Sequence, residues 1–308
     1  MNNNKILTNK YMVIFLAFIC CILWGSAFPV LKISYSEMNL NSNDIWEKVV
    51  FAGIRFLGSS IILFTYLIFN KKGINNLKIK DRNILFELFL LGLLQTTIQY
   101  FFFYNGLANT SGMKGAILQS SSTFITVILA HFIYNNDKIN FNKIIGLLTG
   151  ILGIIFSNWG KDFSFDFNFF GEGFLIFAGI ISSFGTFLAK RLSKNIHPFL
   201  VSAWQMFMGS ILMIIIGVFH MKKPLEFTTL SLTLLIYSSF LSAIAFGLWY
   251  SLLKYNKAGE VSIYRFMIPV SGSILSVLFI PDEKFSIQIL FALFMVAIGI
   301  FAVNYKKK

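Results

Sequence analysis

Arg55 and Arg265 each fall inside a long apolar run of the chain. An Arg at the centre of a membrane helix costs about 2.5–3.5 kcal/mol on insertion scales, so each needs a partner or water. Facing a central cavity, the two cations could attract an anionic group such as a carboxylate through charge-assisted hydrogen bonds. The alternative is a structural Arg that binds helix-end carbonyls or snorkels along its own stem. Polar and small residues recur at spacings of three, four and seven in the neighbouring runs, which places them on single helix faces. One stripe is Gly92, Gln95, Gln99 and Gly106; a second is Gly112, Gly115, Gln119, Ser122 and Thr126; a third is Ser262, Arg265, Pro269, Ser273 and Ser276. Each stripe fits a pore wall or a tight helix interface. Trp24, Tyr100, Tyr104, Trp204, Trp249 and Tyr250 each offer an apolar ring with a polar tip, which suits a partly apolar amphiphile. With Gln205, beside Trp204, these residues complete the candidate substrate-binding set. Trp46, near a helix start, reads as an interfacial anchor.

Little else in the sequence could do chemistry. There is no phosphate-binding loop of the Gly-x-x-x-x-Gly-Lys-Ser/Thr type. His131, His197 and His220 are scattered without metal-ligand spacing, so neither a metal nor a cofactor is expected. Glu87 is an acid within an apolar run and sits near its edge, where it reads as a capping or snorkelling residue, with proton coupling as the sharper alternative. His131 could titrate near neutrality, but its position near the end of its run favours a structural role. Cys20 and Cys21 are adjacent within an apolar run and read as small packing residues rather than a disulfide framework. An enzyme is therefore not expected; an integral-membrane transferase would call for acid or His clusters in long loops.

The elements that position these residues follow from composition. The 308 residues are 56% hydrophobic and only 13% charged, with a mean hydropathy of +0.72. Soluble domains are about 25% charged, so the chain reads as a polytopic all-α membrane protein. A membrane helix needs about 20 apolar residues. That ruler predicts ten spans: Tyr11–Leu31, Ile45–Phe69, Ile84–Asn105, Gly112–Tyr134, Phe141–Asn158, Gly171–Ala189, Pro198–Phe219, Leu230–Leu253, Val261–Ile280 and Ile287–Val303. The net charge of +13 then needs no nucleic-acid partner. With a cytoplasmic amino terminus, Lys71, Lys72, Lys78, Lys80 and Arg82, then Lys190, Arg191 and Lys194, then Lys306, Lys307 and Lys308 all fall in inside segments. The positive-inside rule therefore places both termini in the cytoplasm and the chain as a multi-pass protein of the cytoplasmic membrane. The fifth span carries Gly146, Gly150 and Gly153, a Gly-x-x-x-Gly face that reads as scaffold packing, with a homodimer contact as the alternative.

An internal repeat is also visible. Gly92–Asn158 aligns on Ser238–Asn304 without a gap, pairing Tyr104 with Tyr250, Leu107 with Leu253, Gln119 with Arg265, and the turn Asp137-Lys138 with Glu283-Lys284. Five spans per copy make the copies opposite in orientation, a frame that puts a substrate site near the midplane. The expected division is residues 1–160 and 161–308. The motifs and their order resemble the EamA family of ten-helix carriers in the drug/metabolite transporter superfamily. The resemblance is carried by Trp24-Gly25-Ser26-Ala27-Phe28-Pro29, Arg55-Phe56, Tyr104 with Leu107-Ala108, Trp204-Gln205-Met206 with Gly209, Tyr250 with Leu253, and Ile268-Pro269-Val270 followed by Asp282-Glu283-Lys284. Thr123 stands where many relatives have a proline, and Asn136-Asp137-Lys138 replaces a Gly-Glu-Arg turn. The resemblance implies a secondary carrier of small-molecule substrates, amino acids often among them, working by export or exchange. Import, or carriage of a nucleoside, sugar or amine, is the alternative it leaves.

Overall fold

The computed structural model describes residues 3–41, 43–72, 77, 79–110, 115, 118–157, 167–280 and 287–305. Gly112 of the second stripe, Asn158, the Asp282-Glu283-Lys284 turn, and the cations Lys78, Lys114, Lys161, Lys306, Lys307 and Lys308 lie outside them. Among the described residues the chain is all-helical, without a strand. After a short helix Asn3–Thr8, eight helices are long and apolar enough to cross a membrane: α1 Lys10–Glu37, α2 Ile45–Asn70, α3 Arg82–Leu107, α6 Phe169–Asn195, α7 Pro198–His220, α8 Thr229–Tyr255, α9 Ala258–Phe279 and α10 Ile287–Asn304. Two further apolar helices, α4 Ser121–Ile133 and α5 Phe141–Ser157, are shorter, at 13 and 17 residues. Eight of the ten predicted spans are thus full-length helices, and the fourth and fifth coincide with these two.

Local chemistry sets the helix starts. The Asn9 side chain accepts from the backbone N–H of Tyr11 at 3.0 Å to open α1, and that of Asp81 accepts from Asn83 N at 2.8 Å to open α3. Thr228 and Ser231 form a reciprocal capping box at α8, and Pro198 supplies a preset φ at the first turn of α7. Three segments depart from a regular α-helix. The middle of α3 is a π-helical stretch, Leu93–Ile98; α6 opens with another, Phe169–Gly173; and α9 tightens to a 3₁₀ turn at Tyr264–Phe266.

Packing follows small residues. α2 lies along α7, α5 along α10, and α1 against both α8 and α9. α3 packs on α6 and α7, and α4 on α6 and α9. Gly92 and Gly209 let α3 and α7 cross closely: a Cβ on Gly92 would sit 2.7 Å from the Gln205 carbonyl oxygen, and one on Gly209 2.6 Å from that of Gly92. Gly25 does the same for α1 on α9, where a Cβ would lie 2.8 Å from Gly272 N. Gly146, Gly150 and Gly153 of α5 face Val303, the Phe266 ring and Val296, so this face is taken up within the chain. Large apolar side chains such as Tyr11, Phe69, Phe219, Leu278 and Phe301 instead point outward and exposed, a surface matched to hydrocarbon rather than water. Cys20 and Cys21 are buried free thiols; Cys21 Sγ donates to the Tyr264 carbonyl at 3.2 Å.

Candidate functional site

A cavity of about 580 Å³ lies among α1, α2, α3, α4, α6, α8 and α9, within the usual range for a small-molecule site. It runs from mid-bundle, at Gln95, Tyr250 and Arg265, toward the end that carries the α1–α2 connection, at Lys32, Tyr35 and Lys48. Ten of the twelve sequence candidates line it: Trp24, Arg55, Gln95, Gln99, Tyr100, Tyr104, Gln119, Trp249, Tyr250 and Arg265. Trp204 and Gln205 do not. The Trp204 ring packs edge-on against Phe64, and its indole N–H donates to the Leu77 carbonyl at 3.2 Å. Gln205 is buried behind the wall, where its amide donates to Thr96 Oγ1 at 3.0 Å and its oxygen accepts from the Tyr250 hydroxyl.

The two guanidiniums enter from different helices. Arg55, on α2, is only 2% exposed. Its guanidinium carbon sits 4.5 Å from the Phe56 ring and 5.8 Å from that of Tyr100. Arg265 belongs to the 3₁₀ turn of α9, and its guanidinium is 6.0 Å from both the Trp24 and Trp249 rings. Those rings meet edge to face at 5.2 Å. Arg55 Nε and Arg265 Nη1 have no hydrogen-bond partner, nor does Gln99 Oε1 or the hydroxyl of Tyr35 or Tyr104. Among the described lining residues there is no carboxylate.

The polar stripes divide along their length. In the first, Gly92 and Gly106 serve close packing, while Gln95 and Gln99 face the cavity. Gln95 also ties α3 to α6, donating to the Ser182 carbonyl at 3.2 Å. In the second, Gln119 and Ser122 line the cavity, whereas Thr126 donates to Ser183 Oγ at 3.1 Å in the α4–α6 interface. In the third, Arg265 and Ser276 line it, and Ser273 donates to its own helix at Pro269. Lys32, Tyr35 and Lys48 at the mouth, and Phe28, Ser182, Ser242 and Phe246 in the wall, escaped the sequence reading. The first three sit where spans meet connections, which composition cannot tell from loops.

The opposite end of the bundle is closed by charged side chains on helix ends. Lys190 of α6 is buried; its ammonium donates to the carbonyls of Leu253, at 2.5 Å, and Asn256 at the end of α8. Asp137, between α4 and α5, accepts the Gly259 N–H at 2.8 Å at the start of α9 and pairs with Lys143 at 2.5 Å, both side chains 1% exposed. Lys143 also donates to the carbonyls of Asp137 and Lys138. His131 accepts the Ile139 N–H at 3.0 Å through Nδ1, a structural contact. Glu87 forms a partly exposed ion pair with Arg191 at 2.8 Å. Trp46 stacks on His220 at 4.6 Å.

Membrane-length helices around a polar, aromatic-walled cavity define a multi-pass transporter architecture. The sequence matches the EamA-like transporter family over residues 11–159 and 169–305, and the chain belongs to that family. Among its relatives, the "Uncharacterized transporter YetK" of Bacillus subtilis (strain 168) is 28% identical over 83% of this chain and 78% of its own length. The "Uncharacterized transporter YoaV" of the same organism is 23% identical over 91% and 92%. A WAT1-related chloroplastic protein of Arabidopsis thaliana is 22% identical over 92% and 67%. A solved crystal structure superposes with a TM-score of 0.78 at 14% identity, covering 95% of this chain and 96% of that one, which shows a shared fold.

Proposed function

We propose that this membrane transporter is a secondary carrier that works by alternating access and exports amino acids or related carboxylate compounds across the cytoplasmic membrane. The observation that carries the reading is the pair of guanidiniums, Arg55 and Arg265, set in one mid-bundle cavity with unpaired nitrogens. A buried cation without a counter-charge is costly, and an anionic solute would offset that cost. In this reading α4 and α5 complete ten spans, and residues 1–160 and 161–308 are inverted five-helix halves. The packing supports it. Exchanging each helix for the one five places away leaves the α2–α7, α5–α10 and α4–α9 contacts in place and turns α1–α8 into α6–α3 and α1–α9 into α6–α4. The α-helical run of α4 begins after a turn at Ser120, and α9 tightens at Tyr264–Phe266. Gln119 adjoins the first of these breaks and Arg265 lies within the second, and carriers of this frame bind solute at such places. Both termini are cytoplasmic in this reading, so the cavity faces outward while Lys190 and Asp137 close the inner end.

Proteoliposomes loaded with labelled amino acids and other small carboxylates test this. Protein-dependent counterflow of a carboxylate, lost in Arg265→Gln, is expected. Flux confined to uncharged sugars, nucleosides or amines would remove the substrate assignment, and no flux of any solute would remove the carrier.

A further inference from the structure

We infer that the cavity selects an organic anion that lacks a free ammonium group: a carboxylate with an apolar or aromatic body, rather than a zwitterionic amino acid. This rests on the carrier reading for its physiological meaning and narrows its substrate class, keeping the related carboxylates and setting aside the zwitterionic amino acids.

The inference follows from a count of what each end of a substrate would meet. A carboxylate finds Arg55 and Arg265, each with an unpaired nitrogen, and the unpaired hydroxyls of Tyr35 and Tyr104 as donors. An ammonium finds nothing of opposite charge among the described lining residues. The acids nearest the mouth are already engaged. Asp44 pairs with Lys223 at 2.9 Å, and Glu47 accepts the backbone N–H of Lys222 at 2.8 Å.

Aromatic faces are the other common receptor for an ammonium. Here they already face the protein's own cations. Trp24 and Trp249 face Arg265, Phe56 and Tyr100 face Arg55, and Lys48 lies 5.3 Å from the Tyr35 ring. A substrate ammonium would therefore lose hydration and add a third positive charge to those of the buried Arg55 and the partly buried Arg265. What remains for it are neutral acceptors, Gln99 Oε1 and the hydroxyl oxygens of Tyr35 and Tyr104. A carboxylate meets two opposite charges in the cavity, whereas an ammonium meets neutral acceptors and two like charges, so the carboxylate end dominates and the ammonium end is a penalty. Phe28, Phe103 and Phe246 supply the apolar wall for the rest of the solute.

The test compares four solutes that share one skeleton: 3-phenylpropionate, N-acetylphenylalanine, phenylalanine and phenethylamine. Each is titrated against the purified full-length protein in nanodiscs, with heat of binding and thermal unfolding as readouts, independently of transport. The two compounds with a carboxylate and no ammonium are expected to bind at least about tenfold more tightly than phenylalanine, with phenethylamine not binding. Arg265→Gln and Arg265→Lys are measured alongside. Gln should collapse the difference between the acids and phenylalanine, while Lys should retain part of it. Phenylalanine binding as tightly as its deaminated or acetylated counterpart overturns the inference, as does binding of phenethylamine alone or of none of the four. Flux in proteoliposomes is scored separately. A ranking as expected without flux would remove the carrier and leave the charge selection standing, whereas flux of phenylalanine in preference to the acids would remove the selection and leave the carrier.

Discussion

The Tyr250 hydroxyl, at the cavity wall, donates to Gln205 Oε1 on the neighbouring helix, and Gln205 passes the chain on to Thr96 Oγ1 at 3.0 Å. Three helices, α8, α7 and α3, are thereby joined behind one ring that faces the site. Gln205 is fully buried, so its oxygen has no water to fall back on.

Tyr250→Phe should accordingly lower the Tm in detergent by an amount corresponding to about 1–3 kcal/mol, the usual penalty for a buried acceptor left unpaired. A Tyr250→Phe, Gln205→Leu double variant should lose less than the sum of the two single variants, because Gln205→Leu removes the acceptor that Tyr250→Phe strands and leaves Thr96 Oγ1 alone without its donor. A strictly additive double loss would mean that the two residues act independently.

Arg265→Met should leave the ligand-free protein at least as stable as the wild type. The guanidinium is desolvated beside Trp24 and Trp249 with no ion-pair partner among the described residues, and an apolar replacement removes a cost rather than a bond. The stabilisation brought by a carboxylate ligand should fall at the same time. Thermal unfolding with and without ligand separates the two effects; a large loss of stability without ligand would mark Arg265 as a structural residue.

Asp137→Asn should destabilise more than the double variant Asp137→Asn, Lys143→Met. The single change strands the Lys143 ammonium in a site 1% exposed, for which losses of about 3–5 kcal/mol are typical. Denaturation of the wild type and the two variants side by side provides the measurement.

Gly25→Val should abolish a folded carrier. Its Cβ would meet Gly272 N at 2.8 Å and the Ile268 carbonyl at 3.0 Å, and the backbone of α9 cannot step aside. Gly115→Ala is the contrasting case: its Cβ would meet the Leu107 side chain at 2.8 Å and otherwise only Thr110 at 3.6 Å, so a flexible tip absorbs it. Size-exclusion profiles after solubilisation distinguish an aggregated chain from a monodisperse one.

Outside the spans, Asp44 offers a pH test. Its bond to Lys223 and the Asn41 N–H hold its carboxyl below the usual value of 3.8. A carboxyl lowered by folding adds stability above its unfolded value and loses it as pH falls through the folded one. Asp44→Asn should therefore be slightly less stable than the wild type at pH 7, and the gap should close as the pH falls below the ordinary carboxylate range. The pair is partly exposed, so the gap is small; a gap that widened in acid would contradict the assignment.

Much of this was legible in the residue order. Apolar runs fixed where helices form, because a lone polar residue in hydrocarbon is costly and ten stretches avoid it. Arg55, Arg265 and the three glutamines stood out for the same reason, and the fold brings all five to one cavity. Three things were not legible. Periodicity assumes a regular helix, so it missed the π-helical stretch Leu93–Ile98 that carries Gln95 and the turn at Ser120 beside Gln119. Trp204 and Gln205 have the same chemistry as true wall residues, and only the neighbours that arrive in three dimensions, Phe64 and Thr96, put them behind it. The burial of Lys143 has no signal in the residue order. It is buried because Asp137 and two carbonyls, placed by the seven-residue connection between α4 and α5, satisfy its ammonium.

The guanidiniums of Arg55 and Arg265 also bear on energetics at the scale of the whole membrane. Moving one elementary charge through 100 mV is worth about 2.3 kcal/mol. A site that exchanges sides while holding these two fixed charges is voltage-sensitive when empty and less so once a monoanion has neutralised one of them. In the proposed orientation, with the termini inside, an inside-negative potential would draw the empty, more positive site inward and oppose the outward swing of the loaded, less positive one by a smaller amount. The balance over such a cycle would favour anion efflux. The membrane voltage alone would then supply the driving force, and the carrier would need no coupling ion.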